Sequence, residues 1–94
     1  MLKKRQLAGS GYLQFHNGER FLTNYTIDAH QDDKFVWKFS KGKIESATEV
    51  VERAHSEAEC ILDVGPYAWK VRVGKPRRNS ARLEILASLP MRAP

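Results

Sequence analysis

The feature that most constrains the fold is a run of alternating polar and apolar residues on both sides of a turn. Residues 12–15 alternate, residues 16–19 have the composition of a turn, and residues 20–27 alternate again. This pattern predicts a β-hairpin. A two-residue turn would divide the apolar side chains between both faces, whereas a three-residue loop with Gly18 in the left-handed conformation keeps them on one face. We predict the three-residue loop and a core face formed by Leu13, Phe15, Phe21, Thr23, Tyr25 and Ile27.

A third strand and a helix are predicted next. Residues 34–39 alternate between apolar and basic side chains, and Lys41-Gly42 is expected to end this strand. Residues 46–49 have the form of a capping box, in which Ser46 is the N-cap. Apolar residues then follow at helical spacing, which predicts an amphipathic helix of about two turns lying on the sheet.

Three further strands are predicted at residues 58–64, 67–73 and 81–87. A turn at Gly65-Pro66 would place Leu62 opposite Trp69, Cys60 opposite Val71 and Glu59 opposite Arg72. The resulting order is β-β-β-α-β-β-β. Six short strands with one helix predict a mostly β protein that forms a small antiparallel barrel or roll. The position of the helix after the third strand resembles the layout of OB-folds, and this is a resemblance of element order alone.

The length of 94 residues fits a single domain. We expect residues 1–10 to be a flexible basic tail, residues 11–88 to be the barrel-like domain and residues 89–94 to be a C-terminal tail. Cys60 is the single cysteine, so no intrachain disulfide can form, and a reducing, cytoplasmic location is expected. No apolar stretch approaches about 18 residues, so no membrane insertion is expected.

The net charge of +5 is spread unevenly along the chain. Residues 1–43 carry a net +4, residues 44–66 a net −5 and residues 67–94 a net +6. This distribution is compatible with an anionic partner. It is equally compatible with strands that pair with each other through opposite charges, which requires no partner.

No residue pattern indicates catalysis, a metal or a cofactor. His16, His30 and His55 lack the spacing of metal ligands, and the acidic stretch 28–33 lacks the glycine and distal glutamate of a calcium loop. Cys60 is predicted on an apolar face, where a thiol is inert. There is no glycine-rich phosphate loop. We therefore expect no metal and no cofactor, and an enzyme is the least favoured of three functional hypotheses.

A basic loop at residues 74–80 is the first candidate site. Arginines in a turn can bind phosphate or carboxylate through two parallel hydrogen bonds. Basic residues on the flanking strands would extend this site, which predicts a polyanion-binding set made of Lys70, Arg72, Lys75, Arg77, Arg78 and Arg82. A solvated hairpin tip is the competing interpretation.

The second candidate site consists of outward-facing apolar residues that would suit a partner surface or a homodimer interface if they are contiguous. They are Tyr12, Leu22, Val36 and Ile61, with Leu86 on the last strand. The leading hypothesis is therefore a non-catalytic binding or protein-interaction module. The second is an OB-like binder of nucleic acid or another polyanion.

Overall fold

The fold is a closed antiparallel barrel of six strands with one short helix. The computed structural model describes residues 3–89, in which the elements are β1 (Lys4–Gln14), β2 (Arg20–Gln31), β3 (Trp37–Glu45), α1 (Thr48–Ser56), β4 (Cys60–Asp63), β5 (Ala68–Val73) and β6 (Ser80–Ser88). The strands follow the order β1-β2-β3-β6-β5-β4, and β4 closes the barrel on β1. The predicted fold class and element order are confirmed. OB-folds have five strands in a partly open barrel, so the resemblance extends only to the position of the helix.

The predicted β1–β2 hairpin is present in the predicted register. Gly18 has a φ of 89°, the left-handed conformation that glycine adopts without steric cost. The Phe15 amide donates a hydrogen bond of 2.9 Å to the Glu19 carbonyl, and Leu13 lies opposite Phe21. The odd-numbered residues therefore face the core: Leu13, Phe15, Thr23 and Ile27 are buried, and Phe21 and Tyr25 pack against them half-buried.

The first strand begins earlier than the sequence indicated. Residues 4–10, expected in a flexible tail, belong to β1 and pair with residues 24–30 of β2. The polar side chains of this segment do not prevent pairing, because the ladder is formed by backbone groups and β2 is long enough to continue it. At the other end, the Leu89 amide donates to the Ala68 carbonyl at 2.8 Å, and residues 90–94 of the expected C-terminal tail lie outside the described residues.

The third strand lies later in the chain than predicted. It begins at Trp37 and continues through Gly42, which was expected to end it. A side chain at Gly42 would collide with the Thr26 carbonyl oxygen, so glycine here permits close approach of two strands. Phe35 precedes the strand in the left-handed region, with a φ of 63°, and its side chain is 78% exposed.

The helix is present, but its predicted cap is wrong. The N-cap position is Ala47, which makes no side-chain capping hydrogen bond. The Ser46 hydroxyl instead donates to the Leu22 carbonyl at 2.8 Å, because the end of β3 holds Ser46 against β2. The apolar face of the helix, formed by Val50, Val51 and Ala54, is buried against β5 and β6.

The β4–β5 hairpin has the predicted apolar register. Leu62 lies opposite Trp69 and Cys60 opposite Val71. The ladder begins at Cys60, so Glu59, predicted opposite Arg72, lies just before it, and the Glu59 carboxylate lies 3.6 Å from Lys70 Nζ. One core fills the barrel, and its fully enclosed residues are Trp69, Leu13, Ile27, Ile44, Leu62, Val51, Val71 and Thr23.

Candidate polyanion-binding surface

Two basic residues lie directly opposite each other on the outer surface of the barrel. Lys43 of β3 is paired in register with Arg82 of β6. Their chain neighbours Ile44, Ala81 and Leu83 are buried, so the alternation of each strand directs Lys43 and Arg82 to solvent. Like charges at directly opposed positions destabilise a sheet. The charges of Lys43 and Arg82 therefore lower the stability of the sheet at this point.

The basic loop is fixed beside this pair by backbone hydrogen bonds. The Gly74 amide donates to the Arg82 carbonyl at 2.8 Å, which holds the start of the loop against β6. Arg77 and Ser80 donate to each other's carbonyls at 2.7 and 3.1 Å and close a tight turn. Lys75 and Arg77 consequently line one groove with Lys43 and Arg82. We call this set of four cations the basic groove.

Acidic side chains border the basic groove without forming salt bridges to it: Asp28 lines an adjacent groove together with Lys43 and Arg82. None of the salt bridges within residues 3–89 involves any of its four cations. Two residues along β3, Lys41 lies in register with both Asp28 and Glu84, so its charge has acidic neighbours. The four cations of the groove therefore form a cluster of positive charge without salt-bridge partners among the described residues.

The six predicted polyanion-binding residues divide into two groups and one outlier. Lys75, Arg77 and Arg82 lie together in the groove. Lys70 and Arg72 lie on β5, where Lys70 faces Glu59 and Arg72 Nη1 lies 3.8 Å from Glu84 Oε1. Lys70 and Arg72 therefore fit the interpretation in which basic residues face acidic residues of the same protein and need no partner. Arg78 is exposed in the turn with a φ of 58° and is not among the groove-lining residues.

Lys43 is the groove residue that the sequence analysis missed. The available signal was the alternation of Lys41, Gly42, Lys43 and Ile44, which continues the period of a strand. The prediction that Lys41-Gly42 ends the strand left Lys43 outside the sheet. The pairing of Lys43 with Arg82 joins residues that are far apart in sequence, and no local pattern reveals such a contact.

The predicted apolar partner surface is not one contiguous patch. Tyr12 and Leu22 are exposed and lie opposite each other on β1 and β2, and Ile61 is half-buried in the groove that also contains Tyr12. Val36 lies beyond the far end of β2. Leu22 and Gln31 are separated along β2 by roughly 30 Å at about 3.3 Å per residue, so Val36 is remote from the other three.

The groups capable of catalysis or metal binding are dispersed or buried. No group of three or more histidine, cysteine, aspartate or glutamate side chains that could hold a metal occurs among the described residues. Burial, with a further contribution from the Glu57 carboxylate, raises the pKa of the Cys60 thiol to about 11. A thiol with that pKa is protonated at neutral pH and is a poor nucleophile.

The described part of the chain contains no helix long and apolar enough to span a membrane. No protein-family model, curated protein or solved structure matches the chain. Its function is therefore inferred from its own residues.

Proposed function

We propose that this protein is a non-catalytic binding module and that its ligand is a polyanion, such as the phosphate backbone of a nucleic acid, bound in the basic groove. The observation that carries the proposal is the direct opposition of Lys43 and Arg82 on neighbouring strands. Their repulsion costs folding stability. An anion bound between Lys43 and Arg82 would offset that cost, and anion binding would therefore explain why the two cations are paired.

The residue types of the groove suit phosphate. Arg77 and Arg82 each carry a planar guanidinium, which can donate two parallel hydrogen bonds to one phosphate. Lys43 and Lys75 supply compact positive charges that do not require a fixed geometry. A groove of this composition would bind a charged backbone without reading its sequence.

The alternatives are less well supported. Cross-strand neutralisation accounts for Lys70 and Arg72, which face acidic side chains, but not for the four cations of the groove. A protein partner or a homodimer on the apolar surface would require a contiguous patch. The scattered positions of Tyr12, Leu22 and Val36 do not supply one. The single buried cysteine suits a reducing, cytoplasmic location.

The proposal is tested by fluorescence anisotropy with a labelled single-stranded oligonucleotide and a labelled duplex at about 50 mM salt, where electrostatic binding is strong. The double variant Lys43→Gln with Arg82→Gln should weaken binding at least about tenfold, through the loss of two phosphate contacts. The matched control is Lys70→Gln with Arg72→Gln, which removes the same formal charge from β5. Equal losses in both double variants would show that net charge, not the groove, is responsible.

A further inference from the structure

The first strand has a backbone edge that is directed away from β2. Phe15 and Lys3, just beyond the two ends of β1, each form a hydrogen bond on the β2 side: the Phe15 amide donates to the Glu19 carbonyl, and the Lys3 carbonyl accepts from the Gln31 amide. In an antiparallel pair every second residue forms such bonds. The odd-numbered residues of β1 are therefore bonded to β2, and the even-numbered residues direct their amides and carbonyls to the opposite side.

The opposite side of β1 is paired over only part of its length. Strand β4 lies beside Tyr12–Gln14 and then turns away, where the Val64 amide donates to the Tyr67 carbonyl at 2.9 Å. Within residues 3–89, no strand lies beside residues 4–10 on this side. The unpaired edge is thus formed by the backbone groups of Lys4, Gln6, Ala8 and Ser10, and all four residues are exposed.

An exposed edge of this length is a template for another strand, and proteins usually protect such edges with bulges, prolines, charged side chains or very short strands. Residues 4–10 contain no proline, their pairing with β2 has no register shift, and their two charged residues, Lys4 and Arg5, both lie at one end. Residues 6–10 therefore carry none of these protective features. Natural recognition modules use such edges to bind extended peptides by strand addition. We propose that the unpaired edge of β1 binds an extended, acidic segment of a partner protein as an additional strand.

The charges at this edge define the polar side of the ligand. Lys3, Lys4 and Arg5 are exposed at one end of β1, and none of them takes part in a salt bridge within the described residues. The nearest acidic side chain in register is Asp28, which accepts a hydrogen bond from Gln6. Glutamate or aspartate side chains on an added strand would lie beside Lys4, where opposite charges stabilise neighbouring strands.

The other face of the added strand would lie toward the open end of the barrel. Strand β3 pairs with β6 only as far as Lys41, so no backbone ladder joins the two strands beyond that point. Aromatic rings gather at this end: Phe39 lies 5.1 Å from Trp69 and 5.4 Å from Tyr67 between ring centroids, and Arg5 lies over the Trp37 ring. Because side chains alternate along a strand, the ligand would alternate acidic and apolar residues.

A second copy of the chain fits the edge less well. Each molecule has a net charge of +5, so two copies repel each other, and residues 3–10 contain no acidic side chain that could pair with the cations of a second copy. An acidic partner is attracted by the same charges. Charge complementarity therefore favours a separate protein over a homodimer.

The test uses a synthetic peptide of alternating glutamate and valine, about seven residues long to match residues 4–10, with a lysine–valine peptide as its control. Amide hydrogen exchange of the full chain is followed by NMR. The amides of Gln6 and Ala8 should exchange rapidly in the free protein and become protected when the acidic peptide is added. The lysine–valine peptide should give no protection.

The variant Ala8→Pro removes an edge amide that forms no bond to β2, so it should leave the fold intact and weaken peptide binding at least about tenfold. Ala8→Val keeps the amide and should bind like the wild type. If Ala8→Pro does not fold, Lys4→Glu tests the same site through charge. This variant should bind the glutamate–valine peptide more weakly and should bind the lysine–valine peptide. The proposal would be overturned if neither peptide protected the Gln6 and Ala8 amides, or if Ala8→Pro bound the acidic peptide as tightly as the wild type does.

The result is independent of the basic groove. Ala8→Pro should bind the oligonucleotide like the wild type, and the Lys43→Gln with Arg82→Gln variant should bind the peptide like the wild type. Self-association of the wild type that increases with concentration and disappears in Ala8→Pro would show that the edge is used by a second copy, which would also overturn the assignment to an acidic partner.

Discussion

Lys43 and Arg82 oppose each other on the outer surface of β3 and β6, and no carboxylate lies within salt-bridge distance of either among the described residues. The next pair on the same face of the two strands, Lys41 with Glu84, joins opposite charges. These two strands therefore do place complementary charges opposite each other, two residues away from Lys43 and Arg82. The contrast distinguishes the basic groove from an ordinary solvated surface.

The variant Lys43→Glu should make the protein more stable and a weaker polyanion binder at the same time. Opposite charges would then face each other, which should raise the free energy of unfolding by about 0.2–1 kcal/mol. Denaturant unfolding and oligonucleotide anisotropy measure the two effects on one sample. The control Lys70→Glu introduces the same charge beside Glu59 and should lower stability slightly while leaving binding nearly unchanged. A Lys43→Glu protein that binds as well as the wild type would contradict the role of the groove.

The variant Trp69→Ala should destabilise the protein by about 3–5 kcal/mol, because the indole is fully buried and its removal leaves a cavity. Thermal or urea unfolding measures this loss. Tyr67→Ala is the matched control, since its ring stacks on Trp69 at 5.7 Å but is 45% exposed, and it should cost only about 0.5–1.5 kcal/mol. A loss below about 1 kcal/mol for Trp69→Ala would mean that the core is not built around this residue.

The variant Phe35→Gly should stabilise the protein by up to about 1 kcal/mol. Phe35 has a φ of 63°, a conformation that costs a residue with a β-carbon about 1–2 kcal/mol, while the ring itself is exposed. The greater flexibility of glycine in the unfolded chain offsets part of the gain. Phe35→Ala retains the β-carbon and should show no such gain. Equal stabilities for the glycine and alanine variants would show that the left-handed conformation carries no strain.

The stabilising contribution of the Cys60 thiol should decline at high pH. Burial raises its pKa from 9.0 to about 11, so between these values the unfolded chain loses the proton while the folded protein keeps it. Stability falls with rising pH wherever the folded state binds more protons. The difference in unfolding free energy between the wild type and Cys60→Ala, measured under reducing conditions, should therefore shrink between about pH 9 and pH 11. A difference that stays constant would indicate that the thiol is not desolvated.

The sequence predicted those elements whose geometry is fixed locally. The β1–β2 hairpin was predictable because Gly18 and the alternation on both sides permit one register that buries a single face. The β4–β5 hairpin follows in the same way from the turn between Leu62 and Trp69. The helix was predictable from its apolar spacing.

The errors arose where distant residues compete with a local signal. Ser46 has the spacing of a cap, but its hydroxyl donates a hydrogen bond to the Leu22 carbonyl of β2. Gly42 resembles a strand end, yet it is required where β3 approaches Thr26. Three of the four groove residues were predicted: Lys75, Arg77 and Arg82 are close in sequence, whereas Lys43 joins them only through the β3–β6 pairing.

The most direct test of the central claim is the salt dependence of oligonucleotide binding by the wild-type protein. Four phosphate contacts from the basic groove predict that the logarithm of the association constant for single-stranded DNA falls against the logarithm of salt concentration with a slope of about −3. Substituting Lys43 and Arg82 together by glutamine should reduce the slope to about half. No detectable binding at about 50 mM salt, or binding that does not change with salt, would contradict the assignment of this surface to a polyanion.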